Sequence, residues 1–210
     1  MKPNSRATAR TRARYQRIAP LYDAMETLAE PRYRPWRRQL WSLVRGPQVL
    51  EVGVGTGKNM PFYPAGLQIT GVDLTPGMLE RARTRAGEEK LDVELRLGDA
   101  QALDFPNDTF ENVVATFVFC SVPDPVLGLT ELARVVKPGG HVLLLEHMRS
   151  ANKLLGLLMD IANPFVVRMV GANINRRTEE NVRQSGSRVE RIEDMGLGGI
   201  FKLIVARAAV

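Results

Sequence analysis

The chain has a single cysteine, Cys120, and two histidines in 210 residues. One thiol excludes an internal disulfide and any cysteine-based metal cluster, so packing is its expected role and no metal is expected. No uninterrupted apolar run reaches the about 18 residues a bilayer span requires. The arginine-rich N-terminus is not followed by the apolar stretch of a secretory leader, so a cytoplasmic location with at most peripheral membrane contact is expected. Tyrosine is scarce as well. Tyr15, Tyr22, Tyr33 and Tyr63 are the four present, and none stands four residues before a lysine. That removes the tyrosine–lysine pair on which nicotinamide-dependent reductases of this general fold rely. Acidic residues are sparse at one end only. Residues 1–45 hold eleven Lys/Arg against three Asp/Glu, which leaves eighteen against twenty for the rest of a chain whose net charge is +6. The basic character is therefore an N-terminal arm (Arg6, Arg10, Arg12, Arg14, Arg17, then Arg32, Arg34, Arg37, Arg38), suited to an anionic membrane surface or to nucleic acid.

What is present is a glycine loop. Glu51-Val52-Gly53-Val54-Gly55-Thr56-Gly57 follows an apolar strand and sets three glycines on alternate positions of one turn, where a side chain would block the close approach of a ligand to the backbone. A dinucleotide fingerprint reads G-x-G-x-x-G, whereas this loop reads G-x-G-x-G and continues into Lys58. Glu51, two positions before the first glycine, would repel a pyrophosphate but can order a loop that receives the zwitterionic end of S-adenosylmethionine. Two acids downstream agree with that cofactor. Asp73 closes a second apolar strand about 20 residues on, where a carboxylate accepts both ribose hydroxyls. Asp99, with Ala100 beside it, follows a third strand and can accept the adenine amino proton. Thr56 and Asn59 are expected at the methionine end, Leu74 and Met78 against ribose or adenine, and Thr116 at the end of the fourth strand.

From Gln48 onward strands and helices alternate, with strands over 48–53, 68–73, 92–97, 111–117 and 141–147, helices over 76–86 and 125–136, and a short helix near 58–63. A helical insertion over about 151–185 precedes two strands near 188–193 and 200–207, the last antiparallel. Ahead of these lie a helix over 5–17, an interruption at Pro20, and a helical stretch over 21–44 with a break expected around Pro31 to Pro35. The expected fold is α/β: a seven-stranded, doubly wound, Rossmann-like sheet of the class I methyltransferase kind. A basic helical cap occupies 1–45 and the S-adenosylmethionine-dependent domain 46–210.

In such sheets ligands sit outside the carboxyl ends of the strands. The fourth strand lacks the Asn/Asp-Pro-Pro-aromatic cluster of base and amide methyltransferases, so no nucleic-acid substrate is expected. The fifth strand ends in Glu146-His147-Met148-Arg149, a carboxylate, an imidazole and a guanidinium at the expected mouth of the substrate pocket. The insertion opens with a strongly apolar run over 153–170, broken by Asp160, Asn163-Pro164 and Arg168. That run suits a lid that dips into a membrane interface or holds an acyl chain.

Segments 51–59, 73–83 and 99–104 resemble the small, soluble bacterial phosphatidylethanolamine N-methyltransferases. So do Val118-Phe119-Cys120-Ser121-Val122-Pro123-Asp124-Pro125, Leu145-Glu146-His147-Met148-Arg149-Ser150, Gly171-Ala172-Asn173-Ile174-Asn175-Arg176-Arg177-Thr178 and Gly199-Ile200-Phe201-Lys202. The likeness covers nearly the whole chain. Its cofactor motifs are shared with quinone-biosynthesis C-methyltransferases, and parts resemble thiol methyltransferases. The resemblance implies methyl transfer to a phospholipid amine, with Glu146 or His147 accepting the proton. Tyr15, Tyr22 and Tyr33 would offer electron-rich faces to the methylated cation, and Arg149, Arg176 or Arg177 would grip the headgroup phosphate. A quinone precursor, a small thiol or, more distantly, RNA are the alternative acceptors.

Overall fold

Strands buried on both faces need apolar side chains at successive positions, and the central segments of this chain supply them. The computed structural model describes residues 2–169, 171–196 and 198–208. Its seven strands are β1 (Gln48–Val52), β2 (Gln68–Asp73), β3 (Val93–Leu97), β4 (Phe110–Thr116), β5 (Val136–His147), β6 (Arg188–Asp194) and β7 (Phe201–Arg207). They form one sheet in the order β3-β2-β1-β4-β5-β7-β6, the expected doubly wound class, with β7 antiparallel to both neighbours. Period-two alternation divides the core between the two faces. Val113, Leu144 and Ile204 pack with Leu129 and Leu132 of α5 (Pro125–Val135), while Val114, Leu143 and Leu203 pack with Leu40 and Trp41 of α3 (Glu30–Ser42). The strand β5 begins earlier than expected because Phe110 pairs with Val136 before the register shifts to Asn112 with His141.

The arm is ordered as helices. Asn4 caps α1 (Ser5–Ile18) by accepting from the Ala7 amide at 3.1 Å. A 3-10 turn at Ala19–Leu21 and α2 (Tyr22–Glu26) follow, then α3. The break expected around Pro31 to Pro35 lies instead between Glu26 and Glu30, and α3 runs through both prolines. Pro31 is the second helical residue, where the backbone N–H lacks an intrahelical acceptor anyway, so its missing donor costs nothing there. α4 (Pro76–Glu88) links β2 to β3, and α6 (Lys153–Met169) and α7 (Thr178–Gln184) make up the insertion. Val170, which closes the apolar run, lies outside the described residues. Among the described residues no helix is long and apolar enough to cross a membrane.

Candidate active site

The carboxyl ends of β1 to β4 meet at one edge of the sheet, under α1 and α2. Gly53, Gly55 and Gly57 all have positive φ, +71°, +58° and +83°. A Cβ on Gly53 would collide with Val118, and one on Gly57 would lie 2.7 Å from Met60 Sδ, so these two glycines serve close packing. Gly55 differs. A Cβ there would meet only the Gly53 carbonyl at 3.9 Å and would project toward the cavity that Gly55 lines.

That cavity encloses about 720 Å³ with its mouth included. Tyr15 and Tyr22 of the cap line it, together with Gly53, Asp73, Leu74 and Met78, then Asp99, Ala100, Thr116, Phe117 and Ser121. Asp73 accepts from the Gly55 amide at 2.9 Å and the Thr75 amide at 2.8 Å. Burial raises its pKa and these amides oppose the shift. Asp99 accepts from the Gln101 amide at 2.9 Å and from the Thr8 hydroxyl at 3.2 Å, which pins α1 across the opening.

A smaller polar cavity adjoins it, lined by Tyr22, Glu26, Arg37, Glu51, Thr56, Lys58, Asn59 and Thr116. Glu51 accepts from Asn59 at 2.7 Å and from the Tyr63 hydroxyl. Its burial pushes the carboxyl up to about 7 against those two hydrogen bonds. Asn59 also accepts from Arg37 Nη1 at 2.9 Å and donates to Thr116 at 3.0 Å. The Thr56 hydroxyl donates to Asp23 at 2.6 Å, and Lys58 Nζ lies 3.6, 3.7 and 3.8 Å from Asp23, Glu26 and Glu30. Arg37 is 4% exposed, and its Nε and Nη2 face the Glu30 carboxylate at 3.3 and 3.4 Å.

Two carboxylates at adjacent strand ends, a glycine opening on the cavity and a polar end carrying both charge signs fit a nucleoside joined to a zwitterionic amino acid. Asp73 and Asp99 would hold ribose and adenine. Arg37, held between Asn59 and Glu30 on the wall of the polar cavity, would place its positive charge toward a carboxylate.

The residues expected at the substrate mouth are distributed differently. Glu146 is fully buried behind the loop that follows β4, and its Oε1 accepts from the amides of Val118 at 2.8 Å and Phe119 at 3.1 Å. Oε2 has no partner, and burial pushes the carboxyl up to about 8. The ring of His147 lies 6.4 Å from that of Phe117 and 6.3 Å from that of Phe201, its Nε2 is buried without a partner, and burial pulls its pKa down. Arg149 forks onto Asp160 at 2.9 and 3.0 Å. Arg176 donates to the Val122 carbonyl at 2.9 Å, and Arg177 is exposed, 3.9 Å from Glu180. Tyr33 packs its ring 4.8 Å from Phe117, beside Trp36 and Phe201. None of these six residues lines either cavity.

Sequence reasoning passed over Thr11, Arg37, Phe117 and Ser121 as wall residues and read Lys58 only as a departure from the dinucleotide pattern. Phe117 and Ser121 carried a signal, since Phe117 directly follows β4 and Ser121 lies in the loop after it. Arg37 carried none, being one arginine among several on a basic helix.

Residues 50–144 match the family described as "Methyltransferase domain". The chain is 47% identical over 105 residues to a phosphatidylethanolamine N-methyltransferase of Cereibacter sphaeroides, covering 49% of this chain and 52% of that protein. It therefore spans about half the length of that relative. It is 34% identical over 165 residues to a demethylmenaquinone methyltransferase of Deinococcus radiodurans, covering 75% of this chain and 68% of that protein. Among solved structures, an S-adenosylmethionine-dependent methyltransferase of Thermotoga maritima, described as a possible histamine N-methyltransferase, superposes with a TM-score of 0.71 at 21% identity, over 95% of this chain and 100% of that one. The [4+2]-cyclase SpnF superposes with a TM-score of 0.70 at 20% identity, over 85% of this chain and 80% of that one, so such likeness speaks to the fold alone. The chain belongs to the class I S-adenosylmethionine-dependent methyltransferases. S-adenosylmethionine is its methyl donor.

Proposed function

We propose that the enzyme methylates the headgroup amine of phosphatidylethanolamine and of its partly methylated forms, leading to phosphatidylcholine. The observation that carries this reading is the outward face of α6. Leu154, Leu157, Leu158, Ile161, Phe165 and Met169 recur at helical spacing and are 53–81% exposed. The helix is tied to the loop along the cavity, since Asn163 bonds both Asn173 and the Ile174 amide, and Asn173 bonds the Cys120 carbonyl. The cap carries exposed apolar side chains of its own, Leu21, Met25 and Leu28. A water-soluble thiol or an RNA base needs no such face, whereas an acceptor held in a bilayer does. In this reading α6 lies at the membrane interface. The exposed arginines of α1 add roughly 1 kcal/mol each near an anionic leaflet.

When bound, S-adenosylmethionine supplies an electrophilic sulfonium methyl. The acceptor nitrogen must present a lone pair, and an alkylammonium, with a pKa of about 10.4 in water, has none until a proton is lost. An apolar wall lowers that pKa by disfavouring the charge. Burial raises the pKa of Tyr15 and Tyr22, so both remain neutral phenols whose oxygens accept the amine N–H. Their rings attract the methylated cation by about 0.5–2 kcal/mol each. We assign the proton to His147, held neutral by burial; because the ring lines neither cavity, the transfer runs through an intervening water. The exposed Arg177 is the guanidinium assigned to the headgroup phosphate. A second reading, methylation of a quinone precursor, is favoured by the longer alignments with demethylmenaquinone methyltransferases.

The test is incubation with methyl-labelled S-adenosylmethionine and phosphatidylethanolamine vesicles, with and without anionic lipid, and mass identification of labelled lipids. Mono-, di- and trimethylated headgroups, increasing with anionic lipid, are expected. Unlabelled phospholipid despite intact cofactor binding overturns the reading.

A further inference from the structure

The loop over 117–123 forms much of the cavity wall, through Phe117, Val118, Ser121, Val122 and Pro123. Its backbone is in an uncommon state. Phe117 has φ +57°, a left-handed conformation that a bulky side chain adopts only where its surroundings hold it. Those surroundings are three polar side chains from behind the loop. Glu146 Oε1 takes the amides of Val118 and Phe119, at 2.8 and 3.1 Å. Asn173 donates its own amide and its Nδ2 to the Cys120 carbonyl, at 2.8 and 3.0 Å. Arg176 Nη2 donates to the Val122 carbonyl at 2.9 Å, and its own carbonyl accepts from the Arg149 amide at 2.8 Å. Four consecutive-to-alternate backbone groups of the wall are thus satisfied by side chains from two distant segments, and none of the three side chains reaches the cavity surface.

We propose that Glu146, Asn173 and Arg176 are positioning residues that clamp the 117–123 wall from behind and contact neither methyl acceptor nor donor. The clamp accounts for why a carboxylate, an amide and a guanidinium sit near the site without lining it. Glu146 acts through an oxygen that accepts, a property glutamine shares, whereas a proton acceptor needs an ionisable group. Arg176 acts through one N–H on a carbonyl, whereas a phosphate ligand acts on the lipid.

Hydrogen exchange at the Val118 and Phe119 amides, calorimetric binding of S-adenosylhomocysteine, and kcat and KM on phosphatidylethanolamine vesicles test it together. Glu146→Gln is expected to keep both amides protected, with kcat and the pH profile within about threefold of wild type. Glu146→Ala should expose both amides, weaken S-adenosylhomocysteine and cut kcat by about tenfold or more. Asn173→Ala and Arg176→Gln should loosen the loop and lower kcat with KM for vesicles little changed, and they carry the test if Glu146→Ala does not fold. The proposal is overturned if Glu146→Gln abolishes turnover with exchange unchanged, or if Arg176→Gln raises only KM for the lipid. Exchange and S-adenosylhomocysteine binding need no acceptor, so a wild type inactive on vesicles would count against the lipid reading while leaving the clamp decided by those two measurements.

Discussion

Arg37 Nη1 donates to Asn59 Oδ1 at 2.9 Å, and through that amide a cap helix is hydrogen-bonded to Glu51 beside the glycine loop. The guanidinium also faces Glu30, at 3.3 Å, and lies over the Phe117 ring at 5.6 Å. The cap and the cofactor end of the site therefore share one buried polar network.

Arg37→Met keeps the apolar stem and removes the donors. It is expected to weaken S-adenosylhomocysteine binding by about tenfold or more, given about 1.5–3 kcal/mol for a hydrogen bond to a charged group. Calorimetry checks this, and Arg37→Lys should restore only part of the loss because one ammonium cannot reproduce the fork.

Asp73 joins the Gly55 and Thr75 amides and faces the cavity. Asp73→Ala leaves two amides without an acceptor and should weaken S-adenosylmethionine by about tenfold or more, while Asp73→Asn, which retains one carbonyl oxygen, should lose less. Fluorescence or calorimetric titration of the two variants side by side reads the difference.

Burial raises the Glu146 carboxyl from 4.5 to about 8. Below pH 4.5 folded and unfolded chains both hold that proton. Between there and about pH 8 only the folded chain holds it, so each rise in pH favours unfolding, and above that the loss is complete. Glu51, raised to about 7, adds a loss of the same sign. The melting temperature should fall from pH 5 to 8, and Glu146→Gln, which cannot ionise, should flatten that fall without abolishing it. Equal slopes in the two proteins would contradict the assignment.

Phe165 and Leu158 are 71% and 54% exposed on α6. Replacing either with Asp should leave the melting temperature within a few degrees of wild type, yet weaken binding to anionic vesicles by about tenfold, since burying such a side chain contributes about 1.5–3 kcal/mol. Vesicle sedimentation measures the loss.

The sheet was legible because strand burial writes itself as apolar runs and the glycine loop requires glycine at fixed spacing. Gly53, Gly55, Asp73 and Asp99 fall where strand order puts them. The cap was legible as helices but misread at Pro31, since a proline in the first turn of a helix resembles a break while costing nothing there. What sequence could not show is pairing. Glu146, Arg149 and Arg176 belong to segments that looked chemical, and their polar atoms are met by Val118, Asp160 and Val122, partners 28, 11 and 54 residues away. Arg37 showed the reverse, a residue hidden by basic neighbours that folding isolates beside Glu51.

The most direct measurement is a competition in one vesicle preparation containing phosphatidylethanolamine and a demethylated naphthoquinol at equal surface density, with methyl-labelled S-adenosylmethionine limiting. Label recovered in methylated phospholipid is the predicted result. Label recovered in the quinol, with phospholipid unlabelled, contradicts the account.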